Sequence, residues 1–528
     1  MSKYSKDSTE VTETVVDLEG TPLTGSDDLS SVRYGSFTSL ETQDMLALNS
    51  NITNDVPQGR HLGVFSTIVM FVARIVGSGI FATPSSIFVN CGGNPVLFMS
   101  IWVIAALMAF AGLYLFLEFG CLLPRSGGRK NFLEAVYDKP KLMTSVTFSS
   151  FAVLTGFSIS SAIIFGKYVL FSLGFSEKFV NEESNLSNYL GSMMVLIIVF
   201  VHGVSVKHGI IIQNMLGALK FLLIAIICVS GVYALFVFNP KERIEAPITM
   251  PWHFQDSALV SCSSLTAAFI QAFFCFAGWD GVHTVTSEIK NPVRTLKIAG
   301  PTSLFIALIC YTLLNLGYLK VLTFEEIKAA GPLVGSLFFS KIYGQRFGRQ
   351  FVTLSIALSA VSNLFVVIYS ISRMNQEIFR EGYLPFSKQM ATNWPWGAPF
   401  PSLILCGLIT TLWLVLLPAG GESYNYLVSM EGYANQFFLL LVAVGLFIYR
   451  KRHPEKIAEI RASMAGVIAL IVMSIYLMIG PFLGDQSKNS IGWFPPYQIT
   501  ATLMILACFL FWLVKFKIIP YILGYELQ

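Results

Sequence analysis

Two glycine-containing clusters interrupt apolar segments that are otherwise typical of helices. The first is Gly77-Ser78-Gly79, and the second is the run 277–281, far along the chain. If the first cluster is unwound, backbone N–H groups are exposed at the positive end of the next half-helix, where they can bind a carboxylate. If the second is unwound, its carbonyls and that of Ile75 can accept hydrogen bonds from an ammonium. Side by side, these groups would bind the backbone of a free α-amino acid.

Glycine clusters alone are weak evidence, because closely packed membrane helices also need small residues at their contacts. The pairing of the two clusters is more informative. Interrupted helices at matching positions in two halves of a chain indicate a transport site near the middle of the membrane. Close helix packing remains the alternative interpretation of each cluster.

Three ionisable residues within or beside the apolar segments are candidates for proton coupling. Lys220 is flanked by apolar residues, and a buried amine gives up its proton more readily than one in water; the alternative is a lysine that extends to the interface. Arg74 stays charged and needs a counter-charge or carbonyls, either as a structural ion pair or in coupling. Asp280 and His283, three residues apart, could relay a proton or simply line the path. The candidate partners of Arg74 are Glu118, Asp280 and Glu288.

The composition requires lipid as the solvent for much of the chain. Hydrophobic residues make up 54% of the 528 residues, charged residues only 12%, and the mean hydropathy is +0.64, whereas soluble domains carry about 25% charged residues. The six histidines form no metalloprotease pair and the eight cysteines have no paired spacing, so we expect no enzyme, metal site or disulfide framework. We interpret the cysteines as small core residues. A nucleic-acid partner is not expected, because the net charge is only +4 without a basic block.

From Leu62 onward, apolar runs long enough to cross about 30 Å of hydrocarbon recur. The large majority of Lys and Arg residues fall in the connections on the side of the N-terminal segment, which predicts that both termini are cytoplasmic. We therefore predict an all-α polytopic membrane protein. Its twelve spans are placed near 62–88, 95–117, 144–172, 187–203, 210–238, 262–285, 297–319, 349–378, 401–417, 424–449, 463–483 and 493–514.

The chain divides into five parts. Residues 1–60 form an acidic, Ser- and Thr-rich tail that we expect to be disordered and cytoplasmic. Residues 62–238 and 262–449 hold five spans each, residues 463–514 hold two more, and residues 515–528 form a short cytoplasmic C-terminus. If the two five-span parts are inverted repeats, each glycine cluster lies in the first span of its repeat, so helices 1 and 6 are discontinuous.

An ordered set of motifs runs through the spans and connections. Its members are Gly77-Ser78-Gly79-Ile80-Phe81 with Pro84, Leu117-Glu118-Phe119-Gly120, Arg125-Ser126-Gly127-Gly128, Ala218-Leu219-Lys220, Thr286-Ser287-Glu288 with Asn291-Pro292, and the run 380–385. This set resembles the amino acid–polyamine–organocation superfamily, specifically its L-type amino acid transporter branch, across nearly all of 62–517. Within that branch the chain is most similar to the fungal methionine permeases, above all at 288–301. The resemblance implies a five-plus-five inverted repeat with two extra helices and no cofactor.

The resemblance also implies a substrate site at the two broken helices. Residues 78–80 would take the carboxylate of the substrate, and the carbonyls of Ile75, Phe274 and Ala277 would take its amino group. Phe274 would close over the bound amino acid, and Lys220 would stand in for the sodium ion of sodium-coupled relatives. The candidate substrate-binding residues are Ile75, Ser78, Gly79, Ile80, Phe274, Ala277, Trp279 and Asn435, the last two with simple packing as the alternative.

The leading interpretation is a plasma-membrane permease that imports L-methionine with protons by alternating access. A broader range of neutral or sulfur amino acids is one alternative, because the run 277–281 differs from the sequence that is usual in methionine permeases. A nutrient-sensing receptor on the same fold is another. Residues 173–186 contain no cysteine, so we do not expect the disulfide-linked heavy chain of the animal L-type transporters. Lys3 and Lys6 in the tail are expected to be accessible to the ubiquitin machinery.

Overall fold

The computed structural model describes residues 63–123, 128–155, 159–238, 247, 252–279, 292–418, 421–484 and 489–524. Three sets of predictions lie outside these residues. They concern the tail 1–60, the run 280–291 that contains Asp280, His283 and Glu288, and the final residues of the chain.

Eight helices, α1 to α8, make up the described part of the first half of the chain. Helices α1 and α2 are the two parts of the first span, and α5 and α6 are the two parts of the third. Helix α3 begins where Asn94 accepts a hydrogen bond from the N–H of Leu97 at 2.8 Å, directly before Pro95, a typical helix start. In order, the eight helices are Val64–Ile75, Gly79–Asn90, Pro95–Leu122, Arg129–Val136, Met143–Leu154, Ile159–Ser172, Leu186–Val204 and Val206–Phe236.

Helices α9 to α19 follow in the second half. Two of them begin with a capping box, formed by Ser261 and Ser264 at the start of α9 and by Thr323 and Glu326 at the start of α11. In each box, the two side chains accept hydrogen bonds from N–H groups that have no partner within the helix. In order, the helices are Cys262–Cys275, Pro292–Val321, Phe324–Ala330, Val334–Gly344, Thr353–Arg380, Ser387–Met390, Phe400–Leu416, Gly421–Arg452, Met464–Ile479, Tyr497–Leu513 and Ile519–Leu523.

Each of the twelve predicted spans contains helix where the structure describes it, although the last one begins at Tyr497 and not at residue 493. Nine stretches of the described residues are long and apolar enough to cross a membrane, and α9 and α15 are shorter apolar helices. The first span is the pair α1 and α2, each of 12 residues. The prediction of an all-α polytopic fold is confirmed.

Spans of the first half pack in pairs with spans of the second half. Each of the first four spans packs against the span five positions later: α2 against α9, α3 against α10, α6 against α13, and α7 against α15. Short helices also lie between the second and third spans of each half, α4 in the first and α11 with α12 in the second. Such self-paired contacts are expected when a two-fold axis relates two halves of a bundle.

Small residues let α6 and α7 approach until their backbones touch. A Cβ atom on Gly166 would lie 2.0 Å from the carbonyl oxygen of Ser187, and one on Gly191 would lie 2.6 Å from that of Ala162. Helix pairs in lipid gain stability from this close packing, because apolar surface alone gives little drive for association there. The pair α6 and α7 therefore forms a tightly closed part of the bundle.

The connections collect at two ends of the bundle. We call the end that carries α4 and the start of the connection after α16 the inner end. At this end, Glu118 of α3 pairs with Arg450 of α16. Arg450 Nε donates to Glu118 Oε1 at 2.7 Å, and the N–H of Ala462 donates to Glu118 Oε2 at 2.6 Å. Glu118 is 3% exposed and Arg450 is 14% exposed. This pair fastens α3 to the end of α16.

We predict that Glu118→Gln destabilises the protein strongly. Removal of one partner of a buried ion pair leaves an uncompensated charge and costs about 3–5 kcal/mol. The melting temperature of the detergent-solubilised protein should fall, and Glu118→Met combined with Arg450→Met should recover much of the loss.

The control is Lys178→Ala, which removes an outer ion pair with Glu183 whose side chains are 73% and 51% exposed. Such exposed pairs contribute about 0–1 kcal/mol. An equal melting temperature for Glu118→Gln and the unaltered protein would contradict the structural role of the Glu118–Arg450 pair.

Candidate substrate site at the broken helices

The first span is broken at residues 76–78, one residue before the predicted cluster Gly77–Gly79. Helix α1 ends at Ile75 and α2 begins at Gly79, with Val76 at φ −75° and ψ 87° outside helical geometry. Ser78 is 4% exposed, and its side chain makes no capping bond to α2. The first N–H groups of a helix have no partner within it, so α2 presents open donors and the positive end of its dipole at this break.

The sixth span is interrupted after α9. The N–H of Ala277 donates to the carbonyl of Phe274 at 3.0 Å, which turns the chain away from the helix. Gly278 then has φ +111°, a backbone conformation that only glycine adopts without strain. A Cβ atom there would lie 3.2 Å from Cγ of Arg74. The second break thus lies directly against the end of α1.

The two breaks meet at Gly79 and Cys275. A Cβ atom on Gly79 would lie 2.9 Å from Sγ of Cys275, and Sγ is also 3.0 Å from Oγ1 of Thr83. Cys275 is 4% exposed. This cysteine, expected only to fill the core, is part of the contact that joins α2 to α9.

Tyr311 of α10 connects the carbonyl ends of both broken helices. Its hydroxyl lies 3.0 Å from the carbonyl oxygen of Ile75 and 3.0 Å from that of Cys275, and it is the donor to both. The Ile75 oxygen also accepts a bond from the N–H of Gly77 at 2.9 Å. A hydroxyl has one hydrogen and a carbonyl has two lone pairs. When the hydroxyl hydrogen turns to Cys275, the Ile75 oxygen regains a lone pair for a substrate ammonium.

The candidate residues of the two breaks lie together, whereas two further candidates lie toward the inner end. Trp279 packs edge-on against Phe116, with ring centroids 5.2 Å apart. The guanidinium of Arg129 lies 5.6 Å from the Phe116 ring centroid and donates to Oδ1 of Asn435 at 3.0 Å. Trp279 and Asn435 are therefore joined through Phe116 and Arg129 in a layer on the inner side of the breaks.

The coupling candidates have different environments. Lys220 of α8 is buried, with 4% exposure, so its ammonium does not extend to the surface of the bundle. Arg74 lies in the last turn of α1, beside Gly278. Of its candidate partners, Glu118 is engaged by Arg450 at the inner end. Asp280, the third coupling candidate, lies outside the described residues.

Sequence reasoning missed Tyr311 and Arg129. Tyr311 lies in an apolar run and Arg129 in a connection, and neither position carries a motif that points to the site. Within the described residues, His, Cys, Asp and Glu side chains form no group of three that could hold a metal ion. The arrangement offers backbone donors, backbone acceptors and side-chain hydroxyls, which suits a small zwitterion.

Comparison with known proteins agrees with this geometry. The family model described as amino acid permease matches residues 62–514. The chain is 54% identical over 501 residues to the low-affinity methionine permease of Saccharomyces cerevisiae, covering 94% of this chain and 90% of that protein. It is 29% identical to the high-affinity methionine permease of the same organism, over 84% of this chain and 77% of that protein. It is 25% identical to the human b(0,+)-type amino acid transporter 1, over 84% of this chain and 87% of that protein.

We predict that Gly79→Val abolishes amino acid uptake while the protein still reaches the membrane. The added side chain would meet Sγ of Cys275 and fill the space beside the open backbone. The control is Gly217→Val on α8, where a Cβ atom meets no atom within 4 Å. Uptake per surface molecule, measured with labelled amino acid, should be lost only in the first variant; normal uptake by Gly79→Val would refute the placement of the site.

We predict that Tyr311→Phe weakens substrate binding without preventing folding. Loss of a buried hydrogen bond costs about 1–3 kcal/mol, so the half-saturation concentration should rise about tenfold. Tyr433→Phe is the control, because it removes another buried hydroxyl, one that donates to the carbonyl of Met478 at 3.2 Å in α17. If both variants behave alike in concentration-dependent uptake, Tyr311 has no special role at the site.

Proposed function

Because this chain belongs to the amino acid permease family, we propose that it is a proton-coupled plasma-membrane permease for L-methionine. The observation that carries the proposal is the junction of the broken helices. The open N–H groups at the start of α2 lie beside the carbonyl ends of α1 and α9, which meet at the Tyr311 hydroxyl. A carboxylate and an ammonium on one carbon atom fit these two sets of groups. As a permease, the protein moves its substrate and does not transform it.

Methionine is proposed as the substrate because of the similarity to two yeast methionine permeases, at 54% and 29% identity. The described walls near the breaks are aromatic and aliphatic, with Phe276, Trp279 and Ile80 all buried. An unbranched thioether packs well against such surfaces. A broader neutral amino acid range is the alternative, since apolar pockets discriminate weakly between side chains of similar size.

Uptake of labelled methionine into cells that lack their own methionine transport tests this assignment. We expect saturable uptake that excess unlabelled methionine abolishes and that other neutral amino acids inhibit much more weakly. Equal inhibition by leucine and phenylalanine would replace methionine with the broader range. Absence of uptake by protein at the cell surface would favour the receptor alternative.

The coupling proposal concerns Lys220. An ammonium buried in a membrane helix is costly and is found mainly where function requires it. In our proposal, protonation of this amine is linked to the arrangement of α8 and the broken helices, and the proton travels inward with the amino acid. Cytoplasmic termini follow from the distribution of Lys and Arg, and this orientation turns the inner end toward the cytoplasm.

We predict that Lys220→Met loses the dependence of uptake on the proton gradient. In the unaltered protein, uptake should accelerate as external pH falls and collapse with a protonophore. The control is Lys320→Met, because Lys320 donates to the carbonyl of Leu235 at the outer end and is not a coupling candidate. Full gradient-driven accumulation by Lys220→Met would leave this lysine with a structural role only.

A further inference from the structure

Glu431 is a carboxylate inside a span that the transport site described above does not use. It lies in α16, which runs from Gly421 to Arg452, well away from both helix ends. It forms no hydrogen bond or ion pair with any residue that the structure describes. Its side chain is partly exposed, although α16 packs tightly on α9 at this level, where a Cβ atom on Gly432 would lie 2.4 Å from Ile270. The carboxylate therefore faces an internal space.

Helical spacing places Glu431 on the same face of α16 as Tyr424 and Asn435. Steps of seven and four residues return to nearly the same side of an α-helix. The Tyr424 hydroxyl is fully buried and has no hydrogen-bond partner among the residues that the structure describes. Ser429, on the neighbouring turn of α16, accepts a hydrogen bond from Nε2 of Gln271 of α9 at 3.3 Å. Since α9 ends at Cys275, which contacts Gly79, α16 packs along the helix that leads to the junction of the broken helices.

The polar face ends in a cation at the inner side. Asn435, about one helical turn beyond Glu431, accepts the hydrogen bond from Arg129 of α4. Glu118 of α3 does not reach this face, because it is bonded to Arg450. Tyr433 points to the other side of α16, toward α17. The elements that pack against α16 carry further titratable and charged groups, among them Tyr168 on α6, Cys275 on α9 and Arg129 on α4.

We propose that Glu431 is a proton-binding residue of the transport path. An ionised carboxylate in a membrane span requires a counter-charge or water, and in the arrangement described here Glu431 has no counter-ion. The neutral acid is stable in this position, because a protonated carboxyl group has no charge to remove from water. A proton taken up from the outer side thus permits the path to close around Glu431.

Release of the proton requires a partner for the carboxylate. When the inner side opens, water enters and surrounds the carboxyl group. The O–H bond of the acid then breaks, the proton passes to water on the inner side, and the carboxylate is stabilised by the water that has entered. This inference rests on the proposed proton coupling, and it adds Glu431 to Lys220 as a second group that binds a proton during transport.

The test compares exchange with accumulation in Glu431→Gln, which keeps the shape of the side chain and is always neutral. Protein in proteoliposomes is assayed for exchange of labelled for unlabelled methionine and for accumulation driven by an inward proton gradient. We expect exchange within about twofold of the unaltered protein, because the neutral form already permits closure. Gradient-driven accumulation should be lost, and the rate of uptake should no longer change with external pH.

Two further variants are compared with Glu431→Gln. Glu422→Gln makes the same substitution at an exposed position at the start of α16 and should keep the full pH response. Glu431→Asp retains a titratable carboxyl and should keep pH-dependent accumulation, so the inference stays testable if Glu431→Gln does not fold. A folded Glu431→Asp protein that exchanges normally but has no pH response would overturn it.

The remaining outcomes separate this inference from the proposed function. Full accumulation and a normal pH response in Glu431→Gln would refute the role of Glu431 alone, provided that the unaltered protein is coupled. If Glu431→Gln loses exchange as well and its half-saturation concentration rises, an ionised Glu431 binds the substrate ammonium, and the proton-binding role is wrong. If the unaltered protein shows neither pH response nor protonophore sensitivity, the proposed coupling itself fails.

Discussion

The contact between the backbone of Gly79 and the side chain of Cys275 sets the geometry of the site. Two interrupted helices can present donors and acceptors to one ligand only if their ends come within a few ångströms of each other. At Gly79 a single added carbon would lie 2.9 Å from the cysteine sulfur, so a larger residue must displace the Cys275 side chain or move the two helices apart. The Tyr311 hydroxyl completes the junction, because it places one hydrogen between two carbonyl oxygens at the negative ends of α1 and α9.

The bundle combines tightly closed contacts with adjustable ones. Helices α6 and α7 touch through backbone atoms at Gly166 and Gly191, and such contacts resist sliding because no side chain can rearrange between them. The broken helices instead meet through the side chains of Cys275, Tyr311 and Arg74, which can rotate about their single bonds. This difference is consistent with a rigid frame around a junction that has two arrangements, as alternating access requires.

A charged group inside the bundle needs a counter-charge or water, and Glu118 and Glu431 differ in how this need is met. Glu118 and Arg450 neutralise each other at the inner end, where several hydrogen bonds offset their removal from water. Glu431 has no such partner among the described residues. A buried pair therefore accounts for attachment between helices, whereas an unpaired acid that faces the path is suited to gain and lose a proton.

The sequence by itself determined the spans, the break at residues 76–78 and the family resemblance. Span length and hydropathy are local properties, and glycine weakens a helix wherever it stands. Only the tertiary structure decided which polar groups meet. Glu118 and Arg450 are 332 residues apart, Arg129 and Asn435 are 306 apart, and Tyr311 is 236 from Ile75. A tyrosine or glutamate in an apolar run has the same local sequence whether its side chain faces lipid, a carbonyl group or the transport path. Helix rotation and packing set the direction of that side chain, and both belong to the tertiary structure.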